Sequence, residues 1–294
     1  MKALRRLKQV DAIAFAMPMI ERLDRWVVTM RIQQSSYIAT KQLEAAGTIA
    51  TEQISRVLTS LRDGLRTSDA MHIAQIERER SRLSQDNSPL DDGSLTVAGL
   101  YDAGQTVADA CAVSKPPKPA LLLYLLIRAF KPKSVIELGT NVGISSSFIG
   151  MALKDNGNDG KLVTMDASPY RMRQAREVHG NLMLDNIEYI EGLFTDTLRS
   201  TLHQCSTINF AFIDGHHQLQ PTLDYFNEIA TFAAPGAMFV FDDIRWSDGM
   251  NRAWSILQQD ERFSLVLDLS SVGLCILRGS ADDRRVVTRR LKAW

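Results

Sequence analysis

Cysteine is scarce in this 294-residue chain. Only Cys111, Cys205 and Cys275 occur, an odd set whose spacings exclude a CxxC metal or redox pair and argue against a disulfide framework. Such a set fits a reducing compartment, and a cytoplasmic location is expected. An excess of either charge is missing too: Lys plus Arg and Asp plus Glu number 34 each. That balance gives no reason to expect nucleic acid or an anionic membrane as partner. Long apolar runs are also lacking, and none reaches the roughly 18 residues that a bilayer span requires. Lys2, Arg5, Arg6 and Lys8 ahead of Ala12–Ile20 imitate a signal peptide. Asp11 and Pro18 interrupt that pattern, and Glu21, Asp24 and Arg25 follow without a small-residue cleavage site. Internal repeats and low-complexity segments are absent. What is present is an apolar fraction of 45%, enough to bury a core over one or two domains.

Two grammars divide the chain. Residues 1–86 carry almost no strand signal. Leu4, Leu7, Val10, Ala14, Met17 and Ile20 recur at helical spacing, as do Ile54, Val57, Leu58, Leu61 and Leu65, and then Ile73, Ile76 and Leu83. Stripes of this kind pack against the rest of the protein or a sister copy, and a homodimer is expected. The basic bias of the first thirty-one residues reads as a solvated face beside the packing stripe. Asn87–Gly93 has the turn residues of a linker. Ser114–Pro119 is a second break, with prolines at the first positions of a buried helix over Ala120–Phe130. The expected division is a helical extension, 1–95, followed by a second domain, 96–294.

From Lys133 strands alternate with helices. Ser134–Leu138, Leu162–Met165, Ile187–Ile190, Ile208–Ile213 and Ala237–Phe241 read as strands, with helices at Ser145–Leu153, Pro169–His179 and Pro221–Phe232. This spacing predicts a parallel sheet covered on both faces. Ser264–Leu269 and Leu274–Leu277 are joined by a turn too tight for a crossover, so that pair is antiparallel. The predicted fold class is α/β: a doubly wound, mostly parallel seven-stranded sheet with a C-terminal antiparallel hairpin, plus the helical N-terminal extension.

The first strand runs into Gly139-Thr-Asn-Val-Gly143. Glycines at such a junction let backbone approach a ligand, or simply pack a helix closely on a sheet. The dinucleotide pattern G-x-G-x-x-G fails because Asn141 stands where its second glycine belongs, and no lysine is placed as in a P-loop. Glu137, a carboxylate ending an apolar strand, must find donors, and a ligand amino group would be one. Asp166 ends the next strand, placed to accept from ribose hydroxyls or, with Ser168, to cap the helix from Pro169. Glu191-Gly-Leu193 can line a base.

Strand four ends in Phe212-Ile-Asp-Gly-His-His217 and strand five in Phe239-Val-Phe-Asp-Asp-Ile-Arg245. Asp214 is therefore expected to face Asp242 and Asp243, and carboxylates brought together repel unless a cation holds them. Oxygen ligands on loops suit magnesium. The alternative is a helix cap plus a salt bridge to Arg245. His217 is the first candidate for general base, His216 the second, and Asp214 can itself serve. Arg245, Trp246 and Met250 follow on a loop expected to roof the crevice, where arginine would pair with an acidic substrate and tryptophan would stack on a ring. Trp246 and Trp254 can equally be packing residues beneath the N-terminal segment.

Glu137, Gly139 and Gly143 match the motif E/D-x-G-x-x-x-G, and over about residues 100–279 the chain resembles the class I S-adenosylmethionine-dependent methyltransferases. The resemblance implies that Glu137, Gly139, Thr140, Asn141, Gly143, Ser145 and Asp214 border the methionine part of the cofactor, with Asp166 at its ribose and Leu193 near adenine. The strand-four and strand-five acids resemble the metal-dependent O-methyltransferase branch, both catechol-type enzymes and macrolide sugar O-methyltransferases. Asp214, Asp242 and Asp243 would then be metal ligands, with Asp243 replacing an asparagine of the catechol type and His216 replacing an acid of the sugar type. The implied function is methyl transfer from S-adenosylmethionine to a hydroxyl of a small acceptor, assisted by Mg2+ or another divalent cation. The alternatives are a metal-independent O- or N-methyltransferase and a non-catalytic cofactor-binding interaction protein.

Overall fold

A computed structural model describes residues 41, 43–44, 47–63, 67–97, 99–157, 159–279 and 285–288. The stripe Leu4–Ile20, the basic face of the first thirty-one residues and Leu65 lie outside the described residues. Helices come first: α1 (Ile49–Asp63), α2 (Thr67–Leu83), α3 (Gly93–Val97), α4 (Val107–Ala112) and α5 (Pro117–Phe130). Proline at the start of α5 costs no intrahelical bond, and Lys131 ends it in the left-handed conformation.

Strands and helices then alternate: β1 (Ser134–Leu138), α6 (Ile144–Asp155), β2 (Lys161–Asp166), α7 (Pro169–Asn181), β3 (Ile187–Glu191), α8 (Phe194–Gln204), β4 (Ile208–Ile213), α9 (Leu219–Ala230) and β5 (Ala233–Phe241). The chain continues through α10 (Asp248–Leu257), β6 (Phe263–Asp268), β7 (Gly273–Leu277) and β8 (Val286–Val287). The sheet order is β3-β2-β1-β4-β5-β7-β6-β8. Pairing is parallel from β3 to β5 and antiparallel on both edges of β7. The expected seven strands are joined by β8, two residues parallel to β6 and too short to leave a sequence signal.

Because successive strand residues point to opposite faces, each strand feeds two cores. Val135, Phe210, Phe212, Met238 and Val240 face the layer of α1, α2, α5 and α6. Ile136, Leu138, Ala211, Ile213, Phe239 and Phe241 face α8, α9 and α10. Strand order reverses between β1 and β4, so their carboxyl ends flank a crevice at the switch point.

The early helices belong to the first of these cores. Ile54, Val57, Leu58, Ile76 and Leu83 are buried in one cluster with Leu122, Leu126 and Phe148. Over these residues the apolar stripes are consumed within the chain, so they give no argument for a second copy. A polar seam reinforces the joint: the Tyr124 hydroxyl donates to Asp155 at 2.7 Å with an Asp69 oxygen 3.0 Å away, and His72 Nδ1 lies 2.8 Å from Asp155. The Asn87–Gly93 segment is likewise docked. Leu90 N donates to Gln105 O at 2.9 Å, and Pro89 bridges Thr106. The described residues of 87–106 form a strap along the strand ends.

Candidate active site

At the end of β1 the backbone turns through Gly139 (φ 104°), whose N–H donates to Met165 O at 2.9 Å. A Cβ on Gly139 would lie 2.0 Å from the Asp214 carbonyl oxygen, and one on Gly143 (φ 87°) 2.8 Å from Ala175 Cα. Both glycines are therefore demanded by packing within the protein. The first lets the β1 loop lie directly on the end of β4; the second lets α6 start against α7. His179, which the sequence did not single out, completes that joint. Its Nε2 is 3.0 Å from Gly143 O and Nδ1 2.7 Å from the Tyr189 hydroxyl, and burial lowers its pKa to about 4. A neutral ring with its proton on Nε2 satisfies both partners.

Glu137 is fully buried in β1. Thr164 donates to its Oε2 at 2.6 Å, and Thr140 is 2.6 Å from Thr164 Oγ1, so a short hydroxyl chain ends on the carboxyl. Burial pushes its pKa up to about 8, against the lowering influence of the Ser145 and Thr164 hydroxyls. Oε1 has no partner in hydrogen-bond geometry. A buried carboxyl oxygen without an aligned donor suits a ligand that brings an amino group.

Asp166, buried at the end of β2, has both oxygens engaged. Oδ2 accepts from Asn141 N at 2.8 Å; Oδ1 accepts from Ser168 N at 2.9 Å and from the Tyr101 hydroxyl at 2.6 Å. Capping of α7 is done by Ser168. Tyr101 comes from the strap, which no sequence signal tied to this site. Behind it, the Arg171 guanidinium stacks 4.0 Å from the Tyr101 ring, bonds Asp92 at 3.1 Å and reaches Asn141 Oδ1 at 2.9 Å. Asp92 also accepts from Ser168 Oγ. Asn141, through its side chain, ties the glycine loop to Ala110 O at 2.8 Å.

On the acceptor side, β4 delivers Asp214 and its following loop His216 and His217; β5 delivers Asp242 and Asp243. Non-glycine residues in the left-handed region gather here: Asn141 (φ 48°), His216 (63°), His217 (39°) and Asp243 (48°). Such conformations cost about 1–3 kcal/mol each and persist where surrounding structure enforces them. Asp214, His217 and Asp243 bring ligand atoms within 4.8 Å of one another, with His217 Nε2 3.5 Å from Asp214 Oδ1. Burial raises the Asp214 pKa; the Lys115 ammonium and His217 oppose that and Asp243 adds to it.

Asp242 lies apart from that trio, contrary to its expected place with Asp214 and Asp243. It is 2% exposed, one oxygen forms an ion pair with Lys115, and Oδ1 has no hydrogen-bond partner. His216 also turns away: its Nδ1 is 2.6 Å from the Tyr225 hydroxyl, its ring meets Phe194 edge-on, and burial lowers its pKa. The expected roof divides. Arg245 is spent on Asp268 at 2.5 Å and Asn251 at 3.1 Å, Met250 is buried, and Trp254 fills the core beside Gly273 while donating to Asp268. Trp246 remains open on the rim, 74% exposed, and Leu193 stands at the start of α8, 37% exposed.

Residues 136–244, from β1 through the acids of β5, match the family described as Methyltransferase domain. Over that stretch the chain is similar to the methyltransferase domains of this family. It is similar to a catechol O-methyltransferase of Niastella koreensis, 26% identical over 157 residues, which are 52% of this chain and 66% of that one. The chain thus spans just under two thirds of this relative's length. In structure it is similar to an O-methyltransferase from Bacillus cereus in complex with SAH, at 20% identity over 70% of this chain and 91% of that one, TM-score 0.52. It is also similar to TomG of Streptomyces achromogenes, an O-methyltransferase involved in tomaymycin synthesis, at 20% identity over 68% and 90%, TM-score 0.50. At these identities the structural likeness concerns the fold. The matched stretch contains the glycine loop, Asp166 and the acid cluster. Tyr101, which bonds Asp166, and Lys115, which pairs with Asp242, lie outside it.

Proposed function

We propose that the protein transfers the methyl group of S-adenosylmethionine to a hydroxyl of a small-molecule acceptor, with a divalent cation held by Asp214, His217 and Asp243. The observation that carries this reading is the contact of the Gly139 loop with Asp214 across the switch point. A nucleoside seated on the β1 loop therefore has its methionine end beside the acid cluster. Glu137 Oε1 receives the amino group, Thr140, Asn141, Gly143 and Ser145 border it, Asp166 takes the ribose hydroxyls once Tyr101 yields, and Leu193 covers the base. Trp246 offers a stacking face to the acceptor at the rim.

Two oxygens and one imidazole within reach of a single point fit a small divalent ion with open positions for water or acceptor. The sulfonium supplies an activated methyl group, and the cation supplies a lowered hydroxyl pKa and a fixed angle of attack. Asp214, pressed against the loop, holds the acceptor side in register with the cofactor side. A second reading rests on the Asp214–His217 pair itself: without an ion, Asp214 orients His217 as general base for a metal-independent transfer, with Lys115 as the resident positive charge.

Transfer of labelled methyl to a catechol, with and without ethylenediaminetetraacetate, tests the two. The expected result is a labelled ether that disappears with chelator and returns with Mg2+. Chelator-resistant transfer favours the second reading, and cofactor binding with no transfer to any hydroxylated acceptor removes both. Asp214→Asn should lower turnover about 100-fold or more while largely sparing cofactor affinity.

Residues 1–95 are read as a helical extension, a dimerisation or lid region, ahead of the 96–294 domain. No helix among the described residues is long and apolar enough to cross a membrane, and the free thiols Cys111, Cys205 and Cys275 suit a cytoplasmic setting. A homodimer through the Leu4–Ile20 stripe completes the proposal; light scattering showing a monomer at micromolar concentration would remove it.

A further inference from the structure

Lys115 has no part in the metal-assisted reading, yet its side chain is only 6% exposed and its ammonium is paired with Asp242, itself 2% exposed. The ammonium also stands 5.9 Å from the centroid of Phe212, on the strand that ends at Asp214. It is delivered by a turn that Pro116, Pro117 and Pro119 stiffen at the start of α5. A buried ion pair is weak evidence for stability, because desolvating two charges offsets their attraction. The pair therefore calls for a reason in the site. Charge supplies one. Three carboxylates end on two adjacent strands, and Asp242 has one oxygen on Lys115 and the other without a partner. The neighbouring cation, Arg245, is committed to Asp268 and Asn251.

We propose that Lys115 is a positioning residue that fills, with its ammonium, the cation place at Asp242, and so confines any divalent ion to Asp214, His217 and Asp243. Lys115 neutralises Asp242, which leaves the two carboxylates of the trio to balance one divalent charge. The inference rests on the metal-assisted reading for its consequence in catalysis, but its test does not depend on turnover.

The experiment is Mn2+ binding to the full chain without cofactor, read by electron paramagnetic resonance and calorimetry, for wild type, Lys115→Met and the Lys115→Met/Asp242→Asn double variant. Removing the ammonium should hand Asp242 to the ion and tighten binding about 10-fold, since ligand charge sets affinity at oxygen sites. The double variant should return to the wild-type value. Binding by Lys115→Met that is unchanged or weaker than wild type overturns the proposal, as does tight binding that persists in the double variant, or absence of binding in both proteins. If wild type binds no Mn2+ and Lys115→Met does, Lys115 is the resident cation and the metal-assisted reading fails instead. Should Lys115→Met not fold, the charge-neutral double variant still decides: its Mn2+ affinity should stay within about 2-fold of wild type, and a loss beyond about 10-fold would make Asp242 a ligand and refute the assignment.

Discussion

Glu137 illustrates how one buried carboxyl ties ligand binding to proton balance. Its pKa stands at about 8 against an ordinary 4.5 because burial disfavours the charged form. The folded chain therefore keeps a proton that the unfolded chain loses. Its contribution to stability is fully present below 4.5 and drains away as pH rises to about 8. Glu137→Gln cannot titrate, so its melting temperature should gain on wild type across that interval; parallel pH profiles would contradict the shift. A cofactor ammonium at Oε1 would favour the carboxylate, so binding near neutral pH should release up to about one proton. Calorimetry in buffers of different ionisation enthalpy reads that release, and Glu137→Gln should abolish it. The two glycines separate cleanly at this scale. Gly139→Ala drives a Cβ into Asp214 O and should cost about 100-fold in kcat/KM through displacement of the acid cluster. Gly143→Ala meets Ala175 and His179 in α7 instead, and should cost about 1–3 kcal/mol of stability in a denaturant melt. Equal losses of activity and stability in both variants would erase the distinction.

Among the elements, the strap behaves least like its sequence. Asn87–Gly93 has the turn residues of a free linker, and nothing in its composition reveals that Asp92 pairs with Arg171, 79 positions later, or that Tyr101 meets Asp166 after 65. Those partners are fixed by where the strand ends converge, which local pattern cannot report. Strands were legible for the opposite reason. Ser134–Leu138 and Ile208–Ile213 are apolar on both faces because both faces are covered, and their observed limits coincide with the expected ones. Helix α8 gives only a short signal, because its stripe is Phe194, Leu198 and Leu202 among threonine, serine and aspartate. The glycine loop and the acids were legible by type and spacing; that Asp242 leaves the trio for Lys115 was not. Tyr101 now has a testable consequence. Its phenol occupies the acceptor oxygen that ribose would use, and burial beside Asp166 raises its pKa, so it remains a donor. Tyr101→Phe removes a bond worth about 1.5–3 kcal/mol that the cofactor must break, and cofactor-product affinity should rise by about 10-fold or more. Weaker binding would mean that the phenol stays in the site and contacts the ligand.

Taken as a whole, the molecule hangs its crevice on two cores, and the helical layer belongs to one of them. Leu43, Ile54, Val57, Leu58, Ile76 and Leu83 share a cluster with the buried face of α5 and with Phe210 and Phe212 of β4. The turn after Ser114 that places Lys115 is held between that layer and the strand ends, since Asn141 bonds both Ala110 O and Ser114 Oγ. Among the described residues, α1 and α2 pack against α4, α5 and α6, the layer from which Lys115 is delivered. A chain beginning at residue 96 should expose Leu122, Leu125 and Leu126 on α5 and lose fixed tertiary packing, seen as loss of near-ultraviolet dichroism and gain of hydrophobic dye binding. A gentler probe leaves the chain complete. Ile76→Ala empties a fully buried position on α2 and should cost about 2–5 kcal/mol. If the helical layer braces the crevice, that loss should be accompanied by weaker Mn2+ and cofactor binding at temperatures where the variant remains folded. Stability that falls with both affinities unchanged would make α2 a cover for the core alone. A truncated chain that keeps native dichroism would make 96–294 an independently folding unit, with the helices an appended layer.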